Sequence, residues 1–195
     1  MIHILYTFLS KEFYDETLTN HLEAFPIDYR NKIKNYKRWQ DQQASVLGRM
    51  LLIYGLSDYY GIEIDGFDIL IDEDGKPYLK NHKIEFNISH SGDLVICTFC
   101  KMQRVGIDIE QIKDIQIADF YDQMTDVESS NIQNSKDQKL AFYNYWTQKE
   151  AVLKAHGKGL SVPLKSFEVI ENKTQLYKDK WYLLPGYWCF QISKN

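Results

Sequence analysis

The chain has 195 residues, a formal net charge of -4 and a hydrophobic content of 44%. This length allows one sizeable core or two small lobes, and the acidic balance argues against a nucleic-acid binder, because such proteins gain affinity by neutralising phosphates. Its cysteines, Cys97, Cys100 and Cys189, all lie in apolar segments, which argues against a disulfide scaffold and favours a reducing, cytoplasmic compartment.

The amino-terminal segment predicts a first strand. Residues 1–9 are apolar, but they have neither a basic leader nor a small-residue cleavage site, and Lys11 and Glu12 follow directly. A signal peptide is therefore not expected. No uninterrupted apolar stretch reaches the roughly 20 residues that cross a bilayer. We expect a soluble protein with no membrane partner.

Two long amphipathic helices are predicted. The first covers about residues 41–60, follows a basic cluster within residues 26–38, and should end at Gly61. The second covers about residues 140–156. The polar segment before it, residues 119–139, is expected to be a mobile connection.

Short strands with polar corners follow each helix. After the first helix, strands are predicted at residues 67–71, 86–91 and 94–99, with a further strand that ends near Leu79. After the second helix, they are predicted at residues 167–170, 181–184 and 187–192. Helix followed by strands thus occurs twice, and Gly92-Asp93 before one strand resembles Pro185-Gly186 before another. The repetition predicts an α+β fold with a pseudo-twofold arrangement of two similar lobes, residues 1–103 and 104–195, each a small antiparallel sheet packed on a long helix.

The spacing of Cys97 and Cys100 requires one check as a metal or redox pair. Both lie in the apolar run that predicts a buried strand, and no second Cys or His pair completes a four-ligand zinc site. We expect both to be core thiols.

Residues 105–110 are the most informative for chemistry. Alternation along a strand sends the apolar residues to the core and places Gly106, Asp108 and Glu110 on the opposite face. Neighbouring like charges are unfavourable unless a cation lies between them, and carboxylate oxygens favour magnesium or calcium. Gly106 should leave room for a phosphate beside them. The alternative is that the two carboxylates form the solvated face of an edge strand.

The second helix presents another charged pair. Glu150 and Lys154 are one helical turn apart and therefore lie on the same face, with Trp146 one turn earlier. The ordinary explanation is a surface ion pair worth a few tenths of a kcal/mol, with the tryptophan in the core. The pair is informative only together with the acidic strand.

Together, the two segments resemble the Sfp-like family of phosphopantetheinyl transferases. The family signature joins a Gly-x-Asp-x-Glu strand to a Trp-x-x-Lys-Glu-x-x-x-Lys helix, and both parts are intact at residues 106–110 and 146–154. Further matches at residues 75–77, 86–91, 157–160 and 185–187 extend the resemblance over most of the chain. It implies a magnesium-dependent enzyme that transfers the 4'-phosphopantetheine group of coenzyme A to a serine of an apo-acyl or peptidyl carrier protein and releases adenosine 3',5'-bisphosphate. Such an enzyme would serve fatty-acid, polyketide or nonribosomal-peptide biosynthesis.

The resemblance also implies roles for the two charged segments. Asp108, Glu110 and Glu150 would surround a magnesium ion that also binds the pyrophosphate of coenzyme A. Glu150 would remove the proton of the carrier serine, and Lys154 would contact the phosphates and stabilise the departing adenosine bisphosphate. Asp108 thereby also belongs to the coenzyme A contacts, and residues 104–195 would carry the metal-binding strand and the catalytic helix.

The nucleotide portion of coenzyme A, with its 3'-phosphate, would lie on residues 1–103. Lys76, Ser89 and His90 match the family positions that hold it, and Lys32 and Ser45 would join them from the early helical region. The structural alternatives are a capped hairpin turn for His90, where the functional role is favoured, and a solvated basic surface for Lys32, where the two explanations are balanced.

Two positions depart from the family pattern. Tyr29 and Ala44 stand where several relatives carry a basic residue, and Arg30, Lys34 or Arg38 would have to compensate. The polar middle segment lies where relatives dock the carrier protein, but it carries no strong apolar motif there.

Other functions remain to be weighed against the transferase. A non-catalytic relative would bind coenzyme A or a carrier without transfer, although the intact carboxylates argue against it. A magnesium nuclease would also use acidic residues and lysine, but the acidic balance and the lack of an extended basic, aromatic groove disfavour it. Because a shorter, trimeric sister group builds its site between subunits, the two halves seen here predict a monomer.

Overall fold

A computed structural model describes residues 1–101, 104–170, 173–176 and 188–192. The helices are α1 (Tyr14–His21), α2 (Ile27–Lys34), α3 (Trp39–Tyr60), α4 (Asp126–Gln133) and α5 (Gln138–His156). The strands are β1 (Ile2–Phe8), β2 (Ile69–Ile71), β3 (Pro77–Leu79), β4 (Ile84–Ser91), β5 (Leu94–Lys101), β6 (Ile107–Gln111), β7 (Phe167–Ile170), β8 (Lys173–Leu176) and β9 (Trp188–Ile192). Of the helices in these ranges, none combines the length and hydropathy needed to cross a bilayer.

The chain divides into two compact units, Met1–Val105 and Gly106–Asn195. Each unit contains one long helix, α3 in the first and α5 in the second, together with short strands. The predicted α+β class is therefore confirmed. The pseudo-twofold relation between two lobes divided at residues 103 and 104 stays a prediction, as do the functions assigned to each lobe.

The first unit is built on an antiparallel sheet in the order β1-β5-β4. Helix α3 packs on this sheet because Leu52 and Leu56 bury their side chains against Phe86 and Phe99. The helix starts two residues before the predicted position and ends as predicted at Gly61, whose φ of 61° is in the left-handed region that glycine adopts readily.

The cysteines of β5 are structural. Cys97 and Cys100 are both buried and free, and burial raises the pKa of the Cys97 thiol. The prediction of core thiols is therefore confirmed for this pair.

In the second unit, α5 begins where the Asp137 carboxylate accepts a hydrogen bond from the Leu140 N–H at 2.9 Å, and it ends at Gly157 with a φ of 89°. Strands β7 and β8 pair antiparallel, although the sequence predicted no strand at residues 173–176. Strands β6 and β9 run parallel, so the expectation of a purely antiparallel arrangement was wrong for this pair. Parallel neighbours need a long connection, and here the whole of α5 lies between them in the sequence. The predicted strand at residues 181–184 and the Pro185-Gly186 turn lie outside the described residues.

The polar segment of residues 119–139 is more regular than expected. It contains α4, whose start is a capping box: the Thr125 hydroxyl accepts from the Glu128 N–H, and the Glu128 carboxylate accepts from the Thr125 N–H. Met124, just before α4, and Ile132, within it, are buried in the same apolar cluster. The expectation of a mobile connection was wrong, because reciprocal capping and these apolar anchors order a sequence that is mostly polar.

Candidate active site

Strand β6 and helix α5 approach each other closely at Gly106. A Cβ atom at this position would lie 1.9 Å from the carbonyl oxygen of Ala151 and 2.6 Å from the backbone nitrogen of Ala155. Only a residue without a side chain permits this approach. The prediction that Gly106 leaves room for a phosphate was wrong, because the backbone of α5 fills that space.

Asp108 is a buried carboxylate and not part of a solvated edge. Its relative exposure is 3%, and the flanking Ile107 and Ile109 are also buried. Glu110 is half-buried farther along the strand. This burial excludes the alternative of a solvated strand face for Asp108. A buried carboxylate is rarely left without a charged partner.

That partner comes from α5. The Lys154 Nζ atom lies 2.5 Å from Asp108 Oδ1, so the ion pair joins the helix to the strand. The sequence predicted that Lys154 shares a face with Glu150, and its positive charge indeed lowers the pKa of Glu150. Its direct contact, however, is with Asp108, a residue 46 positions earlier in the chain.

Glu150 lies in the same electrostatic environment. Burial is the largest cause that raises its pKa, and the charges of Asp108 and Glu110 raise it further, against the lowering effect of Lys154. The structure thus brings the predicted catalytic residues of the second unit close enough to interact. Two neighbouring carboxylates, Asp108 and Glu110, thus act on Glu150 together with one lysine, Lys154.

This donor set suits a hard divalent cation, because carboxylate oxygens are the ligands that magnesium prefers and because a cation would relieve the crowding of negative charge. Among the described residues, no group of three or more His, Cys, Asp or Glu side chains converges in the manner of a metal site. The magnesium site of Asp108, Glu110 and Glu150 therefore stays a prediction.

In the first unit, Lys76 follows a tight turn at Gly75, whose φ is 86°. The turn is closed by the Asp72 carboxylate, which accepts a hydrogen bond from the Lys76 N–H at 2.7 Å. The Lys76 ammonium lies 3.2 Å from the carboxylate of Glu85 on β4. Lys76 is thus held against the sheet and does not extend freely into solvent.

Ser89 and His90 are neighbours on β4, and their side chains therefore lie on opposite faces of the sheet. His90 pairs in register with Val95, which packs with Ala44 beneath α3, so His90 lies on the α3 face and is exposed. Ser89 is buried on the other face. Their assignment to the nucleotide of coenzyme A stays a prediction.

Lys32 and Ser45 belong to neighbouring helices. The Tyr29 hydroxyl of α2 donates to the Ser45 carbonyl oxygen of α3 at 2.9 Å, and Lys32 is exposed about one turn beyond Tyr29. The Ser45 hydroxyl donates to the Asp41 carbonyl oxygen at 2.8 Å. Tyr29 therefore joins the two helices that carry these predicted contacts.

The two departures from the family pattern have a structural explanation. Ala44 is fully buried with Leu9 and Val95, where a charged side chain would not be tolerated. The guanidinium of Arg49 lies 3.4 Å from the centre of the Tyr29 ring, and burial lowers the pKa of Arg49.

The sequence interpretation missed Arg49, since a single arginine within an apolar helix pattern carries no distinguishing signal. Of the residues expected to compensate for the two departures, Arg30 forms an ion pair with Glu23.

A second missed residue is Lys149, which precedes Glu150 and is completely buried. It forms an ion pair with Glu128 of α4. A lysine in a polar stretch of helix would be expected at the surface, and its position in the family signature did not reveal what it contacts.

Comparisons with protein families agree with this arrangement. Residues 104–195 match the model of the 4'-phosphopantetheinyl transferase superfamily. Residues 14–101 match the model described as 4'-phosphopantetheinyl transferase, N-terminal. The two matches together extend over most of the chain.

Curated relatives give the same result. The chain is 33% identical to a 4'-phosphopantetheinyl transferase of Bacillus subtilis, and the alignment covers 76% of this chain and 67% of the relative. It is 36% identical to the transferase Sfp of Bacillus subtilis strain 168, over 72% of this chain and 63% of Sfp. Its identity to the transferase ffp of Bacillus subtilis is 32%, over 87% of this chain and 82% of ffp. The aligned part of Sfp is thus slightly less than two thirds of that protein. These matches confirm the family expected from the two signature segments: the chain belongs to the 4'-phosphopantetheinyl transferase superfamily.

Proposed function

We propose that this chain transfers the 4'-phosphopantetheine group of coenzyme A to a serine of an apo-acyl or peptidyl carrier protein and releases adenosine 3',5'-bisphosphate. The observation that carries the proposal is the meeting of β6 and α5, where Lys154 pairs with Asp108 and Glu150 interacts electrostatically with Asp108 and Glu110. The names of the relatives support the same reaction.

Asp108, Glu110 and Glu150 would hold the magnesium ion. When bound, the ion supplies positive charge for the pyrophosphate of coenzyme A and for the departing phosphate. These side chains are hard oxygen donors from a strand and a helix that Gly106 allows to approach closely.

Glu150 is the proposed base. Its pKa is raised by burial and by two neighbouring carboxylates, so it accepts a proton more readily than an ordinary glutamate. The serine oxygen attacks the phosphorus on the pantetheine side, the bond from that phosphorus to the bridging oxygen breaks, and the serine proton passes to Glu150. The electron pair of the broken bond leaves with adenosine 3',5'-bisphosphate.

Lys154 has a separate role in this scheme. It neutralises Asp108 in the structure described here, and its ammonium is a compact donor that can turn to the phosphates when coenzyme A binds. It then stabilises the negative charge that grows on the leaving phosphate.

The nucleotide of coenzyme A is assigned to Lys32, Ser45, Lys76, Ser89 and His90. Exposure of Lys32 and His90 supports a direct side-chain contact. Lys76 would exchange its partner Glu85 for a phosphate, and burial limits the contribution of the Ser89 side chain.

The proposal also includes a cytoplasmic monomer that acts without nucleic acid or membrane. The two compact units of the chain support the monomer, because one polypeptide then carries the two halves that the trimeric sister group supplies from neighbouring subunits. Light scattering of the purified protein measures the oligomeric state.

The central experiment combines the protein, coenzyme A, Mg²⁺ and a purified apo-carrier, and follows the carrier by intact-mass spectrometry. We expect one phosphopantetheine group on one serine, no product in the presence of EDTA, and no product with a carrier whose acceptor serine is alanine. Tight coenzyme A binding without product on several carriers would instead identify a non-catalytic relative. Metal-dependent nicking of plasmid DNA without transfer would identify a nuclease.

A further inference from the structure

A buried ion pair lies next to the proposed base in the sequence. Lys149 is 0% exposed, and its Nζ atom lies 2.7 Å from Glu128 Oε1. The same ammonium donates to the carbonyl oxygens of Leu164, at 2.8 Å, and Phe167. A lysine ammonium has three hydrogens, so these three acceptors satisfy it completely.

Glu128 is equally well satisfied. In addition to Lys149, its Oε1 atom accepts a hydrogen bond from the Val169 N–H at 2.9 Å, and its Oε2 atom accepts from the Thr125 N–H at 3.0 Å. The Glu128–Lys149 pair therefore joins the start of α4, the middle of α5, and β7 together with the segment that precedes it.

Stability alone does not account for this pair. A buried ion pair contributes little net free energy, because removing both charges from water offsets their attraction, and apolar replacements are often neutral. What a fully hydrogen-bonded pair provides is one defined arrangement of the elements that it joins. Here the Glu128–Lys149 pair can define the position of α5.

The rotation of α5 about its axis determines where Glu150 points. Successive residues of an α-helix are about 100° apart, so a Lys149 side chain held by three acceptors constrains the direction of the next residue. Elsewhere on the helix, Ala151 and Ala155 pack against Gly106, the residue directly before β6. Glu150 thus lies between a polar anchor and a backbone contact.

We propose that Glu128 and Lys149 are positioning residues, which hold α5 in the rotation that directs Glu150 towards Asp108 and Glu110. Neither residue touches substrate in this scheme. The inference rests on the proposed transferase function, because the direction of Glu150 matters for activity only if the three carboxylates act together.

The test compares the wild type with Lys149→Met, which keeps an unbranched side chain of similar length but removes the charge and the donors. We expect kcat to fall about 10- to 100-fold and the Mg²⁺ concentration for half-maximal rate to rise about 10-fold, the range seen when a group that orients a metal ligand is lost. The KM for coenzyme A should change less than about twofold, because the nucleotide contacts are assigned to the other unit.

The control is Phe142→Leu, which perturbs a buried apolar residue about two turns before Lys149 on the same helix and leaves both charges of the pair in place. All rates are measured at a temperature where circular dichroism shows each variant fully folded. A purely structural role would lower the amount of active protein in both variants and leave the Mg²⁺ requirement unchanged.

A readout independent of turnover is the binding of Mn²⁺, as a substitute for Mg²⁺, followed by electron paramagnetic resonance in the presence of coenzyme A. Weaker Mn²⁺ binding in Lys149→Met and unchanged binding in Phe142→Leu are expected. Should Lys149→Met fail to fold, Glu128→Gln keeps one oxygen for Lys149 and should show the same changes, reduced to about threefold.

The outcomes separate the two proposals. A wild type that gives no transfer to any carrier contradicts the proposed function itself. An active wild type whose folded Lys149→Met or Glu128→Gln variant keeps its kcat, Mg²⁺ requirement and Mn²⁺ affinity overturns the positioning role alone.

Discussion

The contact between Gly106 and α5 leads to a quantitative prediction for Gly106→Ala. The added methyl carbon would lie 1.9 Å from the Ala151 carbonyl oxygen, whereas ordinary contacts begin at 3.4 Å. Strand and helix must therefore separate by about 1.5 Å, because the obstructing atoms belong to the backbone and cannot rotate away.

Two effects should follow from this separation. Overpacking of this kind destabilises a protein by about 1–3 kcal/mol, which corresponds to a decrease in Tm of about 2–12 °C for a protein of this size. Asp108 and Glu110 would also move away from Glu150, and a displacement of about 1 Å in a catalytic site can lower the rate about 100-fold. Thermal denaturation, monitored by circular dichroism, measures the decrease in Tm. The carrier-modification assay measures the loss of transfer rate.

Gly55→Ala is the matched control. Its Cβ would also be crowded, at 2.5 Å from the Phe99 ring, but it lies in α3 and its three nearest atoms belong to the side chains of Phe99 and Leu5, not to backbone. We expect it to lose stability while keeping the transfer rate of its folded fraction. If Gly106→Ala keeps the wild-type Tm and shows only a higher KM for coenzyme A, the glycine serves the ligand and our argument about helix packing is refuted.

Three further predictions concern single side chains. Glu150→Gln should abolish transfer yet raise the Tm of the metal-free protein at neutral pH, because the pKa of Glu150 is higher in the folded than in the unfolded state and its ionised form is therefore destabilising there. The gain in Tm should vanish as the pH falls below the unfolded-state pKa. An unchanged Tm at pH 7 would contradict this prediction. Thr125→Ala removes the hydroxyl that caps α4 and should lower the free energy of unfolding by about 1 kcal/mol in denaturant titrations, whereas an equal stability would show that the cap contributes nothing. Cys97 should resist thiol-labelling reagents in the native protein and react only after unfolding, as read by peptide mass mapping, because it is buried and its thiol pKa is raised; rapid native labelling of that peptide would disprove this.

The helices show how far local patterns reach. Apolar periodicity placed α3 and α5 within two residues of their observed starts, and Gly61 and Gly157 follow their last residues in left-handed conformations. Helix α4 escaped the sequence interpretation because its few apolar residues show no helical period, although Thr125 and Glu128 have the spacing of a capping box.

The amino-acid sequence by itself determined the family, the two long helices, and the charged residues of the acidic strand and the signature helix, because these depend on residue type and short-range spacing. Only the tertiary structure decided that Lys154 pairs with Asp108, that Lys149 is buried against Glu128, and that Gly106 serves helix packing. The physical reason is that these contacts join residues about 20 to 46 positions apart, and local periodicity carries no information about which distant side chain will reach a given charge or occupy a given space.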